Sequence, residues 1–240
     1  MELSRRLQAV AGLVTAGYRL ADIGTDHAYI PIYLAQSGRI PEAVAMDVNQ
    51  GPLERAEDNI RSHGLEGRVK TRLSDGFSAL KEGEADSAVI AGMGGGLVIR
   101  ILKEGECLVG TLKECILQPQ SEIEKVRAFL LEEGFLFIKE DMVEEDGKYY
   151  PMMKVCPPAG KTGRASATKE TWDETELRYG RYLLRDRNPV LRQYLEREIR
   201  IKTQIMEGLK GQDSPRAAER KLELERETEY AEKGMKYYVV

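Results

Sequence analysis

The stretch "LADIGTDHAYIP", residues 20–31, decides the fold. An apolar run ends in Asp22-Ile23-Gly24, as a strand does where it gives way to a nucleotide-binding turn. A dinucleotide fingerprint would continue with two more glycines. This chain places Asp26, His27 and Ala28 there instead. A pyrophosphate needs bare backbone N–H groups at close range, and a carboxylate at position 26 repels it. An adenosine ligand without phosphates, with a positive centre and an amino-acid tail, tolerates carboxylates.

Outward from this turn, short apolar runs alternate with helical patterns. The runs are "AVAMDV" (43–48), "RVKTRLSDG" (68–76), "DSAVIAGMGG" (86–95) and "KECILQP" (113–119). The helical stretches are "YIPIYLAQSG", "GPLERAEDNIRSHG", "GGLVIRILKEG" and "SEIEKVRAFLLEEG". In the last, Ser121 and Glu124 have capping-box spacing and Gly134 stops the helix. Alternation of this kind means a parallel sheet with right-handed crossovers. "GFLFIKEDMVEEDGKYYPMMKVC" (134–156) then holds two β-type runs around an acidic turn, an antiparallel hairpin on the sheet edge. The expected fold is α/β, a Rossmann-like, mostly parallel seven-stranded sheet over residues 1–156. "PPAGKTGRASATK" (157–169) reads as a linker, and its "GKTGR" lacks the preceding strand and glycine spacing of a P-loop. Residues 170–240 read as a helical domain. Within it, charged stretches at about 189–210 and 215–233 form a coiled-coil-like hairpin. Leu191, Leu195 and Ile199, then Ile201, Ile205 and Leu209, recur at four-residue spacing along its first helix.

Composition narrows the function. No apolar run approaches the ~18 residues of a membrane span. The N-terminus lacks the apolar core and cleavage site of a secretory signal. Cys107, Cys115 and Cys156 have no metal-ligand spacing and read as reduced structural thiols, so a cytoplasmic protein without metal is expected. The net charge of −4 argues mildly against nucleic acid, but binding depends on a local basic surface rather than the total. The oligomeric state is left open by the sequence, with a monomer favoured.

Ligands of open α/β sheets bind outside the carboxyl ends of the strands. Four such ends carry unusual residues: Asp22 to His27, Asp47, Asp75-Gly76, and Gly92 to Gly96. Asp47 stands about 25 residues after Asp22, where an acid grips two ribose hydroxyls. A helix cap is its bland alternative. Asp75 can accept from an adenine amino group, or it is simply an Asp-Gly turn. The glycines of "AGMGGG" (91–96) permit close approach of a planar base, with Met93 as an apolar contact. S-adenosyl-L-methionine is the ligand that suits this rim. Asp26 is either the N-cap of the following helix or a carboxylate facing the methyl transfer, and the two are not exclusive. His27 is a local hydrogen-bonding residue or flanks the methionine end.

Together "LADIGTDHAYIP", "DVNQGPLERAEDN", "RLSDG", "IAGMGGGL" and "ILQPQ" resemble the bacterial TrmK family of tRNA (adenine-N1)-methyltransferases, over essentially the first 156 residues. Ile30 and Gln120 depart from the family pattern. The resemblance implies a class I methyltransferase fold and methylation of adenosine 22 in the tRNA D-arm. Carried over by motif, Asp22, Gly24 and His27 line the first cofactor loop. Asp47 and Val48 meet ribose and adenine, Asp75 and Gly76 the adenine, and Gly92, Met93 and Gly94 the methionine side. Asp26 is the candidate catalytic carboxylate. Arg5, Arg6, Arg192, Arg197, Arg200 and Lys202 are candidate tRNA-backbone contacts, although the hairpin's many glutamates equally suit a salt-bridged, solvated face. Competing readings are a methyltransferase for a small molecule or protein, a non-catalytic RNA-binding protein, and an NAD-dependent oxidoreductase.

Overall fold

A computed structural model describes residues 1–158, 170–211 and 214–239. The chain divides into two compact units, Met1–Glu170 and Thr171–Val240. The linker expected at 157–169 falls almost wholly outside the described residues.

In the first unit the order is α1 (Arg5–Leu13), β1 (Leu20–Ile23), α2 (Tyr29–Gln36), β2 (Ala43–Asp47), α3 (Gln50–Ser62), β3 (Val69–Leu73) and β4 (Ser87–Met93). There follow α4 (Gly95–Glu104), α5 (Glu106–Val109), β5 (Glu114–Pro119), α6 (Ile123–Glu132), β6 (Leu136–Glu145) and β7 (Lys148–Cys156). The seven strands lie in the order β3-β2-β1-β4-β5-β7-β6. Strands β1 to β5 are mutually parallel, while β7 pairs antiparallel with both β5 and β6. The central strands read as continuous apolar runs because both faces are covered: all of β1 and β5 is buried. Asp146 and Gly147, at φ +53° and +73°, form the two-residue turn between β6 and β7. The core gathers Val10, Leu20, Ile32, Leu34, Val89, Ile116 and Met152.

The chain runs outward from β1 to β3, then returns to place β4 on the other side of β1. The switch point therefore lies between β1 and β4, where a crevice opens at the carboxyl edge. The hydrogen-bonded register brings Ile23 level with both Met46 and Ile90, and Asp47 level with Leu73.

One sequence expectation fails here. Ser121 and Glu124 do not form a capping box. The residue preceding α6 is Glu122, in the left-handed region at φ +53°, with no side-chain cap. Ser121 instead turns to α4, its carbonyl accepting the Gly95 N–H at 3.1 Å. Gly134 does end the helix, at φ +80°.

The second unit holds α7 (Glu174–Tyr179), α8 (Arg181–Arg185), α9 (Pro189–Gly208) and α10 (Pro215–Met235). Asn188 and Ser214 cap the two long helices, each followed by proline at the first helical position. Leu191 and Leu195 of α9 are buried, as are Leu224 and Ala231 of α10. The second apolar triplet fails as a seam: Ile201 and Ile205 are 36% and 41% exposed. A four-residue stride drifts about 40° per step around a helix, so it leaves the partner helix within a few turns. Leu195, Lys202 and Leu209, seven apart, stay partly or fully covered. No described helix is long and apolar enough to cross a membrane.

Candidate active site

The loop after β1 is pinned from three sides. The Gly24 and Thr25 N–H groups both donate to the Met46 carbonyl of β2, each at 2.8 Å. Asn59 of α3 donates from Nδ2 to the His27 carbonyl at 3.1 Å. Met93 covers the loop from β4. Gly24 has φ +73°, and a Cβ there would lie 1.9 Å from Met93 Cε, so the absence of a side chain at 24 is what lets the two strand ends meet. Ala28, the residue preceding α2, also lies in the left-handed region at φ +54°. This conformation costs a non-glycine residue roughly 1–2 kcal/mol. Asp26 is therefore not the N-cap of α2, which has no side-chain cap at all. His27 stacks on Tyr29 with ring centroids 5.0 Å apart, and its Nε2 lies 3.5 Å from Asp26 Oδ1.

Four carboxylates stand at this edge, and they sort into two kinds. Asp26 accepts from Arg55 Nη2 of α3 at 3.0 Å, and Asp75 from Arg100 Nη2 of α4 at 3.3 Å. Both pairs are at least half exposed. Asp22 and Asp47 form no ion pair among the described residues. Asp47 Oδ1 accepts the Asn49 N–H at 2.8 Å, an Asx turn before α3 rather than a helix cap. Asp22 is 7% exposed. Burial pushes its carboxyl up to about 6. The Thr25 hydroxyl opposes that rise, and the nearby Asp47 charge adds to it. That hydroxyl is itself buried and not aligned for a hydrogen bond with any described residue. Apolar surface flanks the acids, with Val48 57% and Leu73 56% exposed.

The glycine run shapes the opposite wall. Pairing between β4 and β5 slips between Ala91 and Met93, so Gly92 bulges at φ +81°. Its N–H is taken by the side chain of Gln118, whose Oε1 accepts it at 3.2 Å. Gln118 is fully buried and its Oε1 also accepts Arg6 Nη1 at 2.8 Å. Gly94 precedes α4, and Gly95 packs so tightly that a Cβ would meet the Ser121 carbonyl at 2.5 Å.

These residues fit an adenosylated cation. A buried carboxyl with no cationic partner among the described residues, a second acid with free acceptor capacity and exposed apolar flanks stand together at this edge, with Met93 packed over Gly24 beside them. The same donor set does not fit a pyrophosphate, because the loop into α2 carries the side chains of Asp26, His27 and Ala28 rather than unobstructed N–H groups, and Asp22 beside it has no cationic partner among the described residues.

Of the ten residues expected around a cofactor, all lie on the β1, β2, β3 and β4 ends of this edge. The basic candidates scatter. Arg6 joins the rim through Gln118. Arg5 lies at the start of α1, with its backbone N–H on Glu145 and its side chain mostly exposed. Arg192 pairs with Glu196 along α9. Lys202 is largely covered, paired with Glu198 and, at 3.5 Å, with Glu227 of α10. Arg197 and Arg200 also lie on α9. Of the thiols, Cys107 is exposed, while Cys115 is buried in β5. Three contributors escape a sequence reading: Arg55, Asn59 and Gln118. Gln118 left a trace, as a polar residue inside the apolar "ILQP" run at a fifth strand end. Arg55 and Asn59, one turn apart on α3, left none.

A seven-stranded sheet of this order with an acidic rim at its switch point defines a Rossmann-like methyltransferase, and a family model described as "Methyltransferase domain" matches residues 3–153. A curated tRNA (adenine(22)-N(1))-methyltransferase of Bacillus subtilis is 38% identical over 153 residues, 64% of each chain. The matched stretch is thus under two thirds of that relative's length. Solved structures extend the likeness to nearly the whole chain. A putative tRNA (m1A22) methyltransferase of Streptococcus pneumoniae, in complex with S-adenosyl-L-methionine, matches at TM-score 0.83 and 30% identity, covering 98% of this chain and 100% of that one. The B. subtilis m1A22 tRNA methyltransferase TrmK matches at TM-score 0.80 and 31% identity, covering 98% and 99%. The chain belongs to the TrmK family.

Proposed function

We propose that this chain transfers a methyl group from S-adenosyl-L-methionine to N1 of adenosine 22 in the D-arm of tRNA, as a cytoplasmic enzyme. One observation carries the reading: among the described residues Asp22 and Asp47 stand without cations at this edge, while Asp26 and Asp75 are matched by arginines. The uncompensated acids suit a cationic, ribose-bearing ligand. The family relatives support it.

When bound, S-adenosyl-L-methionine supplies an electrophilic methyl group on a sulfonium. Asp22, with His27, Gly92, Met93 and Gly94, holds the methionine end. Asp47 accepts from the ribose hydroxyls beside Val48, and Asp75 from the adenine amino group beside Gly76, through the oxygen that Arg100 leaves open. Adenine N1 carries its own lone pair, so no strong base is required before attack. The protein aligns the reacting atoms and excludes water. Because N1 is enclosed in folded tRNA, the base must be swung out to enter. Methylation leaves positive charge on the purine, which the Asp26 carboxylate, oriented by Arg55, stabilises as it develops. Arg5 and the α9 residues Arg192, Arg197 and Arg200 serve the tRNA backbone. Lys202, drawn into ion pairs, serves it least.

The test is methyl transfer to an unmodified tRNA transcript, with A22 replaced by G as control. Mapping the methylated base elsewhere, or finding no transfer, overturns the reading. Asp26→Ala is expected to bind S-adenosyl-L-methionine within about twofold of wild type while kcat falls roughly 10- to 100-fold. Full turnover in that variant removes the assignment of Asp26.

A further inference from the structure

We infer that Arg6 is the phosphate-binding residue beside the target nucleotide, held ready by Gln118 and Tyr150. The inference rests on the proposed tRNA reading and specifies one residue of it.

The arginines at the carboxyl edge differ in what they face. Arg55 and Arg100 each meet an aspartate of the rim. Arg5 has Glu144 at 4.0 Å. Arg6 forms no ion pair with any described residue. Its guanidinium is half-buried, bonded to the neutral amide oxygen of Gln118 at 2.8 Å and set over the Tyr150 ring at 5.7 Å. A Cβ at Gly92 would lie 3.5 Å from Arg6 Nη1. The charge therefore sits at the tips of β4 and β5, on the wall of the crevice opposite Asp47.

A cation in such a place is normally matched by a carboxylate, since desolvating it alone is unfavourable. Gln118 and the tyrosine face orient the group without neutralising it. Among the described residues only one of the five N–H donors is bonded, which leaves an edge for bidentate recognition. The group it can meet at the mouth is the anion nearest a swung-out base, its own phosphodiester. S-adenosyl-L-methionine has no phosphate and carries one anion, its methionine carboxylate, and the cofactor calorimetry below separates that partner of Arg6 from the phosphodiester. Gln118 acts as a positioning residue: one oxygen holds both the Gly92 bulge and Arg6, which fixes the distance between the methionine wall and the phosphate contact.

The experiment measures tRNA affinity against salt concentration for wild type, Arg6→Gln and Arg6→Lys, with calorimetry of S-adenosyl-L-methionine alongside. Loss of one phosphate contact should reduce the slope of log K against log salt by about 0.7–0.9. Arg6→Gln should show that reduction, with a raised KM for tRNA and cofactor affinity within about twofold of wild type. Arg6→Lys should keep the slope and bind tRNA less tightly than wild type, because it preserves the charge but not the fork. An unchanged slope in Arg6→Gln, or a loss of cofactor affinity as large as that of tRNA affinity, overturns the inference. Wild type that methylates A22 while Arg6→Gln keeps its slope sinks the inference and leaves the function standing. Wild type that does not methylate tRNA sinks the function itself.

Discussion

Asp22 should make cofactor binding depend on pH in a window that no exposed aspartate would produce. Its carboxyl titrates near 6 because burial disfavours the charge, whereas an unperturbed aspartate titrates near about 4. If the ionised form holds the cationic ligand, the competent fraction is about ten-elevenths at about pH 7 and about one-eleventh at about pH 5. Affinity should therefore fall about tenfold across that interval, or about 1.4 kcal/mol. Binding at about pH 6 should release about half a proton, because the ligand draws Asp22 into its ionised form. Calorimetry in buffers of different ionisation enthalpy reads both quantities. The stability sign is opposite to the usual aspartate case. The folded group holds its proton above the unfolded pKa, so the folded state is favoured at low pH and loses that advantage as pH rises from about 4 through about 6. A shift of about two units corresponds to about 3 kcal/mol. Asp22→Asn should thus raise the midpoint of urea unfolding at about pH 7.5, abolish the pH dependence of cofactor binding, and bind more weakly. Wild-type affinity that is flat between about pH 5 and about pH 7.5 would refute the reasoning. So would an Asp22→Asn variant that keeps the wild-type slope.

Three further outcomes are expected. Gly24→Ala should lose most cofactor affinity and destabilise the fold by about 1–2 kcal/mol from the positive φ alone; adding Met93→Ala should recover only the steric part, as read by calorimetry and urea unfolding. Glu140→Gln should destabilise by roughly 3–5 kcal/mol in urea unfolding, because Arg127 and Glu140 pair at 2.8 Å with side chains 1% and 0% exposed. Lys202→Ala should lower the melting temperature without changing the salt dependence of tRNA binding, whereas Arg200→Ala should reduce that dependence.

The parallel sheet was legible because period and punctuation agree: short apolar or alternating runs of four to seven residues, most of them closed by a glycine or proline turn, alternate with amphipathic stretches. The edge hairpin was legible from Asp146-Gly147, which only one kind of turn explains. The acids of the rim were legible for the same reason, since each ends a strand and strand ends share an edge in a parallel sheet. What stayed hidden depends on contacts between elements distant in sequence. Spacing cannot show that Arg55 reaches Asp26, 29 positions away, or that Gln118 reaches Arg6, 112 positions away. Yet those contacts decide the sign of each site. Without Arg55 and Arg100 the edge would carry four bare carboxylates and repel a phosphodiester at its mouth. With them, the uncompensated negative charge is left at Asp22 and Asp47, while Arg6 stands at the tips of β4 and β5. The sequence pattern thus locates the acids, but which of them stay bare is decided by which arginine each helix delivers to which acid.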